Sequence, residues 1–260
     1  MDAKAIRDAA DANSVLAFDR LTPALGHPAA GRRRFGAVEA VLTGAASAFW
    51  NPVFVFSDEA TAANLDAAID WIEDNDLRAF LHISDDLDPR HRAHAEARGF
   101  ELAEWSTPVM VLDPIQPEPL PSPAGVTLRA GGVELIESWY QASEAPPSMR
   151  ELLSPAVLDD PGVILAVAFL EGMPVANAMA MDGAGVLGIY AVGTVESARR
   201  RGIGRAVTWA AIAAGASRWA RRVAILQSSA MGVPVYESMG FRSTHSYLEL
   251  RRPPPAVAGG

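Results

Sequence analysis

Cysteine is absent from the 260 residues, so disulfides, thiolate metal sites and a cysteine nucleophile are all excluded. A surplus of basic charge is missing too. Lys and Arg number 22 against 31 Asp and Glu, a net charge of −9, which argues against nucleic-acid binding because such proteins present a basic face. Long apolar runs are also lacking. The longest, Ala206 to Ala216, is interrupted by Thr208 and Gly215 and falls short of the roughly 18–20 residues that a bilayer span requires. The opening MDAKAIRDAADA is charged and helix-like, without the apolar stretch of a signal peptide. No membrane partner and a cytoplasmic location are therefore expected.

What is present is a half-hydrophobic composition, enough for a sizeable globular core. Residues 113–125, DPIQPEPLPSPAG, carry Pro114, Pro117, Pro119, Pro121 and Pro123. Alternate prolines lack ladder donors and hold the backbone near polyproline geometry, so this stretch reads as a stiff linker. It separates residues 1–112 from residues 126–252, and the tail 253–260 is expected to be disordered.

The second half alternates strands and helices. Strands are expected at Val126–Arg129, Val163–Leu170, Val175–Met181, Val186–Thr194, Val223–Gln227 and Tyr247–Leu250. Helices are expected at Val133–Gln141, near Arg150–Leu158, at Gly204–Trp219 and near Val233–Met239. The first half repeats part of this order: strand Asn51–Phe56, helix Thr61–Glu73, strand Arg78–Ser84 and helix Pro89–Arg98. Gly99-Phe100 then precedes Glu101–Glu104 and a strand Val109–Leu112, as Gly240-Phe241 precedes the last strand. An internal duplication is the expectation.

The most informative stretch is IYAVGTVESARRRGIGRAVTW, residues 189–209. A strand ends near Thr194, and Arg199-Arg200-Arg201-Gly202-Ile203-Gly204 leads into a helix. The first amides of a helix lack intrahelical partners, and the peptide dipoles place partial positive charge there. Gly202 and Gly204 remove Cβ atoms that would hold a phosphate off those amides, so the passage reads as a pyrophosphate cradle. It is not a Walker loop, since Gly204 is followed by Arg205-Ala206 rather than Lys-Ser/Thr. A dinucleotide fingerprint fails as well, because Val207 stands where Gly or Ala is required.

Arg199 to Gly204 resembles the Arg/Gln-x-x-Gly-x-Gly/Ala motif of the GNAT N-acetyltransferase superfamily. The similarity continues in LQSSAMGVPVYESMGFR, residues 226–242, which looks like the family's last strand–helix segment. The resemblance covers about residues 126–250. In residues 1–112 it rests on element order and Gly99-Phe100, implying a degenerate GNAT-like repeat. The implied fold class is α/β (α+β), a GNAT-like mixed, mostly antiparallel sheet flanked by helices, in two tandem GNAT-like domains. The implied activity is transfer of acetyl from acetyl-CoA, as co-substrate, to a primary amine of a small molecule or peptide. By this resemblance the backbones of Val192, Gly193 and Thr194 meet the pantetheine arm, and Arg199, Arg200, Arg201, Gly202, Ile203, Gly204 and Arg205 surround the pyrophosphate. Tyr236 matches the tyrosine that protonates the departing thiolate, and Ser229 stands where many relatives have a cofactor-binding Asn.

Two departures from the family matter. Its proton-accepting glutamate corresponds to Gly188 or Ala224 here, neither of which can act, leaving an ordered water chain or a loop side chain such as Glu144. Without cysteine, direct attack in a ternary complex is favoured over a Cys-bound acetyl group. A non-catalytic acyl-CoA-binding scaffold and a transferase for longer acyl-CoA are the alternatives. The degenerate half is expected to shape the acceptor cleft, with the acceptor meeting the thioester between the halves. Asp88, His91 and His94 share one side of an expected helix but have no fourth ligand, so no metal is expected. Arg32-Arg33-Arg34 reads as a short solvated run, and oligomeric state is open.

Overall fold

The structure is a computed structural model that describes residues 1–115, 122–143 and 147–253. Along the first half run α1 (Ala3–Asp19), β1 (Gly31–Phe35), β2 (Val38–Leu42), β3 (Pro52–Val55), α2 (Ala62–Glu73), β4 (Phe80–Ser84), α3 (Arg90–Ala97) and β5 (Glu101–Leu112). The second half contributes β6 (Val126–Gly131), α4 (Ile136–Ala142), α5 (Pro147–Leu152), α6 (Pro155–Leu158), β7 (Val163–Leu170) and β8 (Met173–Gly183). It continues through β9 (Val186–Thr194), α7 (Ile203–Trp219), β10 (Ala224–Gln227), α8 (Val233–Glu237) and β11 (Arg242–Arg251).

All the strands join one sheet in the order β1-β2-β3-β4-β11-β5-β10-β9-β8-β7-β6. Neighbours are antiparallel except β3 with β4 and β9 with β10, the two pairs connected through the crossover helices α2 and α7. The order shows that the halves interleave. β11, the last strand of the second half, lies between β4 and β5 of the first, and β5 lies between β11 and β10.

Helix α1 bolts this arrangement. Asp2 starts it, accepting from the Ala5 amide at 2.8 Å, a normal N-cap. Ile6, Ala9 and Ala10 pack with Val109, Val111, Val186, Val223 and Ile225, which come from strands of both halves or their margins. Polar residues on the same helix are also buried. Asp11 Oδ1 accepts from the Tyr247 hydroxyl at 2.5 Å and from His245 Nε2 at 2.9 Å. Gln227 donates to Ser14 Oγ at 2.5 Å, and the Tyr190 hydroxyl donates to Asn13 Oδ1 at 2.6 Å. Each of these bonds reaches a residue of the far half, so the two halves hold one polar interior in common.

Several sequence expectations are corrected. Glu101–Glu104 and Val109–Leu112 are parts of one twelve-residue strand. Pro108 lacks a ladder N–H, yet its carbonyl accepts from the Ser228 amide at 2.9 Å, and β11 carries a register shift between Ser243 and His245 where the two strands pair. β11 begins five residues earlier than the strand expected at Tyr247–Leu250. The helix expected near Arg150–Leu158 is two short helices, α5 and α6. The Arg32–Arg34 run is exposed, as expected, and in addition forms edge strand β1, where Arg32 and Arg34 both donate to Glu39 of β2 and Arg33 lies over the Trp71 ring. His94 and His91 face different aspartates, Asp66 and Asp58. No three His, Cys, Asp or Glu side chains gather for a metal among the described residues. No helix among them is long and apolar enough to cross a membrane. Glu144, the central residues 116–121 of the 113–125 linker, and the tail from 254 lie outside the described residues.

His82, on β4, is buried among Phe18, Phe54, Phe80 and Tyr247, and neither ring nitrogen has a hydrogen-bond partner. Burial pushes its pKa down to about 3. The folded chain therefore holds a neutral ring where the unfolded chain, with its pKa near 6.5, binds a proton. Stability is full above about pH 6.5 and declines as pH falls toward 3. His82→Phe is expected to flatten that decline, as read from urea midpoints across this range; an unaltered slope would contradict the assignment. Asp11→Ala strands two buried partners and is expected to lower unfolding free energy by about 3 kcal/mol. Because strands of the two halves alternate, near-UV and far-UV signals should still report one common urea transition.

Candidate functional site

β9 and β10 pair through only three residues, Leu187, Gly188 and Ile189 with Ala224, Ile225 and Leu226. β10 ends at Gln227, while β9 runs on to Thr194. The backbone from Tyr190 onward therefore has a ladder partner only on its β8 side, where Asn177 pairs with Gly193 and Ala176 with Thr194. Between those pairs and Met179–Tyr190 the register shifts, with Ala191 at φ +49°. A residue with a Cβ rarely adopts that conformation outside a bulge.

The loop after β9 enters α7 through two left-handed residues, Arg200 at φ +60° and Gly202 at φ +76°. Gly202 is the N-cap and offers no side chain to the helix end. The first intrahelical bond joins Ala206 N to Gly202 O at 3.1 Å, so the amides of Ile203, Gly204 and Arg205 have no partner within the helix. Arg199 Nε donates to Thr194 O at 3.0 Å, tying the loop to the strand end. Arg205 Nε is buried without a partner, an arrangement that awaits an acceptor. A Cβ on Gly204 would stand 3.0 Å from Thr194 Oγ1, so the helix end approaches the strand end closely because residue 204 has no side chain.

The corresponding helix of the first half is closed. Thr61 Oγ1 accepts from the Asn64 amide and Asn64 Oδ1 from the Thr61 amide, both at 3.2 Å. This capping box occupies the third helix amide, the counterpart of the Arg205 amide that α7 leaves open. The Thr61-x-x-Asn64 pattern of this cap is legible in the sequence, and α7 has no counterpart of it at Gly202.

Tyr236, on α8, is held by the helix stop behind it. Phe241 N bonds to Tyr236 O at 3.0 Å and Gly240 N to Glu237 O at 2.9 Å, with Gly240 at φ +94°. This is a Schellman cap, and the Phe241 ring packs edge-on against Tyr236 at 5.9 Å. Phe100 N to Ala95 O and Gly99 N to Glu96 O repeat the cap in the first half, with Ala95 in place of the tyrosine. The recurring Gly-Phe is thus one physical device used twice. Burial raises the Tyr236 hydroxyl pKa to about 12.

These features line one cleft of about 860 Å³. Val192, Gly193, Thr194, Arg199, Arg200, Gly202, Ile203, Gly204, Arg205, Ser229 and Tyr236 all border it, whereas Arg201 is exposed outside the lining. Ser229 is exposed, its Oγ 3.3 Å from the Gly232 amide. Lining residues that sequence reasoning missed include Asn177, Ala191, Met149, Met231 and Val235. All described lining residues of this cleft lie between Ser143 and Ser238, and α1 of the first half packs behind β9, where Asn13 meets Tyr190. Its contribution is at Gly188, where a Cβ would stand 2.1 Å from Asn13 Oδ1 and 2.4 Å from the Tyr190 ring. The space of a glutamate at 188 is filled by an Asn–Tyr hydrogen bond that no local pattern reveals.

Comparison with solved structures finds the same fold. A GCN5-related N-acetyltransferase from Kribbella flavida aligns with a TM-score of 0.73 at 18% identity, over 98% of this chain and 97% of that one. One from Sphaerobacter thermophilus gives 0.59 at 19%, over 86% and 80%. A tandem GNAT protein from the clavulanic acid biosynthesis pathway gives 0.58 at 14%, over 85% and 80%. No curated protein matches the sequence. The family model described as "Probable histone acetyltransferase Rv0428c C-terminal" matches residues 24–249. That match spans both halves and every lining residue of the cleft, and by it the chain belongs to this family, on a GNAT fold.

Proposed function

We propose that the protein is an N-acetyltransferase that moves the acetyl group of acetyl-CoA to a primary amine of a small molecule or peptide, by direct attack with both substrates bound. One observation carries the reading: the unpaired end of β9, the open N-terminus of α7 and Tyr236 line a single cleft. The family's description, which names a histone acetyltransferase, supports a peptide amine among the acceptors.

The residues fit the donor. A pyrophosphate suits the amides of the Arg200–Arg205 turn, and the orphaned Arg205 Nε gains an acceptor there. The backbone of Val192, Gly193 and Thr194 has the strand-like donors and acceptors that the amide-bearing pantetheine arm requires. Bound acetyl-CoA supplies an acetyl group activated as a thioester. An amide at this strand end then stabilises negative charge growing on the carbonyl oxygen. Tyr236 keeps its proton throughout the neutral range, because burial has raised its pKa to about 12, and holds it for the leaving sulfur. A thiol has a reference pKa near 8.5, so the phenol does not give up its proton ahead of bond cleavage; Tyr236 hydrogen-bonds to the sulfur and passes the proton as the carbon–sulfur bond breaks, and bulk water reprotonates the phenolate. With Gly188 closed off by Asn13, removal of the amine proton falls to an ordered water chain or to a loop side chain such as Glu144.

Gly204→Asp is expected to abolish acetyl-CoA binding in calorimetry, because it sets bulk and negative charge beside the open amides; unchanged affinity would refute the cradle. Tyr236→Phe is expected to lower turnover on the order of 100-fold with acetyl-CoA affinity nearly unchanged, measured as thiol release with an amine panel. In the parent protein, loss of rate through Tyr236 ionisation should begin only above pH 10. Equal turnover of the two forms would remove the general-acid role, and binding without thiol release for any amine would favour a scaffold.

A further inference from the structure

We infer that Asn177 is a positioning residue whose side-chain amide clamps the β9 bulge and so keeps the strand end open for the pantetheine arm. This rests on the acetyl-CoA reading and adds to it a residue outside the family motif.

β8 and β9 pair at Met179–Tyr190 and next at Asn177–Gly193. One β8 residue, Ala178, therefore faces two on β9, Ala191 and Val192. Such an extra residue interrupts the ladder and bends its strand. Here it also places Ala191 at φ +49°, where its Cβ disfavours the backbone. Something must replace the missing ladder bond, and Asn177 does: its Nδ2 donates to Ala191 O at 2.7 Å.

The other end of the amide strengthens the argument. Asn177 is 1% exposed, lines the cleft, and its Oδ1 is buried with no partner. An unpaired buried carbonyl is unfavourable, and an apolar side chain would avoid it. What distinguishes asparagine at this position is the donor that holds Ala191. The amide fits because residue 193 is glycine; a Cβ there would stand 2.7 Å from Oδ1. Asn177, Ala191 and Gly193 thus form one unit. It bends β9 just beyond its last pair with β10, Ile189–Leu226, and presents residues 192–194 to the cleft.

The test uses the full chain and two probes: acetyl-CoA, and adenosine 3′-phosphate 5′-diphosphate, the nucleotide end of coenzyme A without pantetheine. Asn177→Ala and Gly193→Ala are each expected to weaken acetyl-CoA at least tenfold while leaving the nucleotide within twofold. The double variant should bind acetyl-CoA no more weakly than the poorer single one, because both changes break the same unit. Asn177→Asp keeps the shape but turns an acceptor toward Ala191 O, and is expected to show the same selective loss if Asn177→Ala does not fold. Unchanged acetyl-CoA affinity, or equal weakening of both probes, would overturn the inference while leaving the donor reading intact. A parent protein that binds neither probe overturns both.

Discussion

One oxygen of Asp11 receives both the Tyr247 hydroxyl and the His245 ring, and this buried junction governs how the two halves share a sheet. β11 can lie between β4 and β5 only if its inward polar side chains find partners, and α1 provides them. The same helix brings Asn13 under β9 to meet Tyr190, excluding a side chain at residue 188. Through α1 the first half thus forms the underside of β9 in the other half. Buried polar groups left without these partners would be strongly unfavourable, so the interleaving and the missing glutamate position have one cause.

The halves share a topology and differ at their helix ends. Both have a parallel strand pair bridged by a helix, and both stop their later helix with the same Gly-Phe Schellman cap. At the crossover helix they part. Thr61 and Asn64 cap each other's amides, whereas Gly202 leaves the end of α7 without a side-chain cap beside the buried Nε of Arg205. Anion affinity at a helix terminus depends on which amides remain unsatisfied. A few local side chains thus separate a structural half from one equipped for a ligand.

The cleft combines features of different range. Its cradle and its tyrosine are built from neighbours in sequence, but its opening is not. The opening depends on a bulge in one strand, a side chain on the adjacent strand and the early end of β10. Sheet geometry can be kept strained at a functional site when surrounding contacts over-determine it, as Asn177 does for Ala191.

From the sequence alone came the GNAT resemblance, the strand–loop–helix of residues 189–209 and the Tyr236 segment with its Gly-Phe stop. These are legible because helix caps and phosphate loops act within about six residues, so their chemistry is written in consecutive letters. Tertiary structure alone decided that β5 and β11 exchange places, that α1 is a buried polar bolt, and that Asn177 supports the bulge. It also brought the unpaired end of β9, the start of α7 and Tyr236 to one cleft. Asn13 meets Tyr190 across 177 positions and Asp11 meets Tyr247 across 236. At such separations neither periodicity nor motif spacing carries information, because the contact exists only once the sheet has assembled.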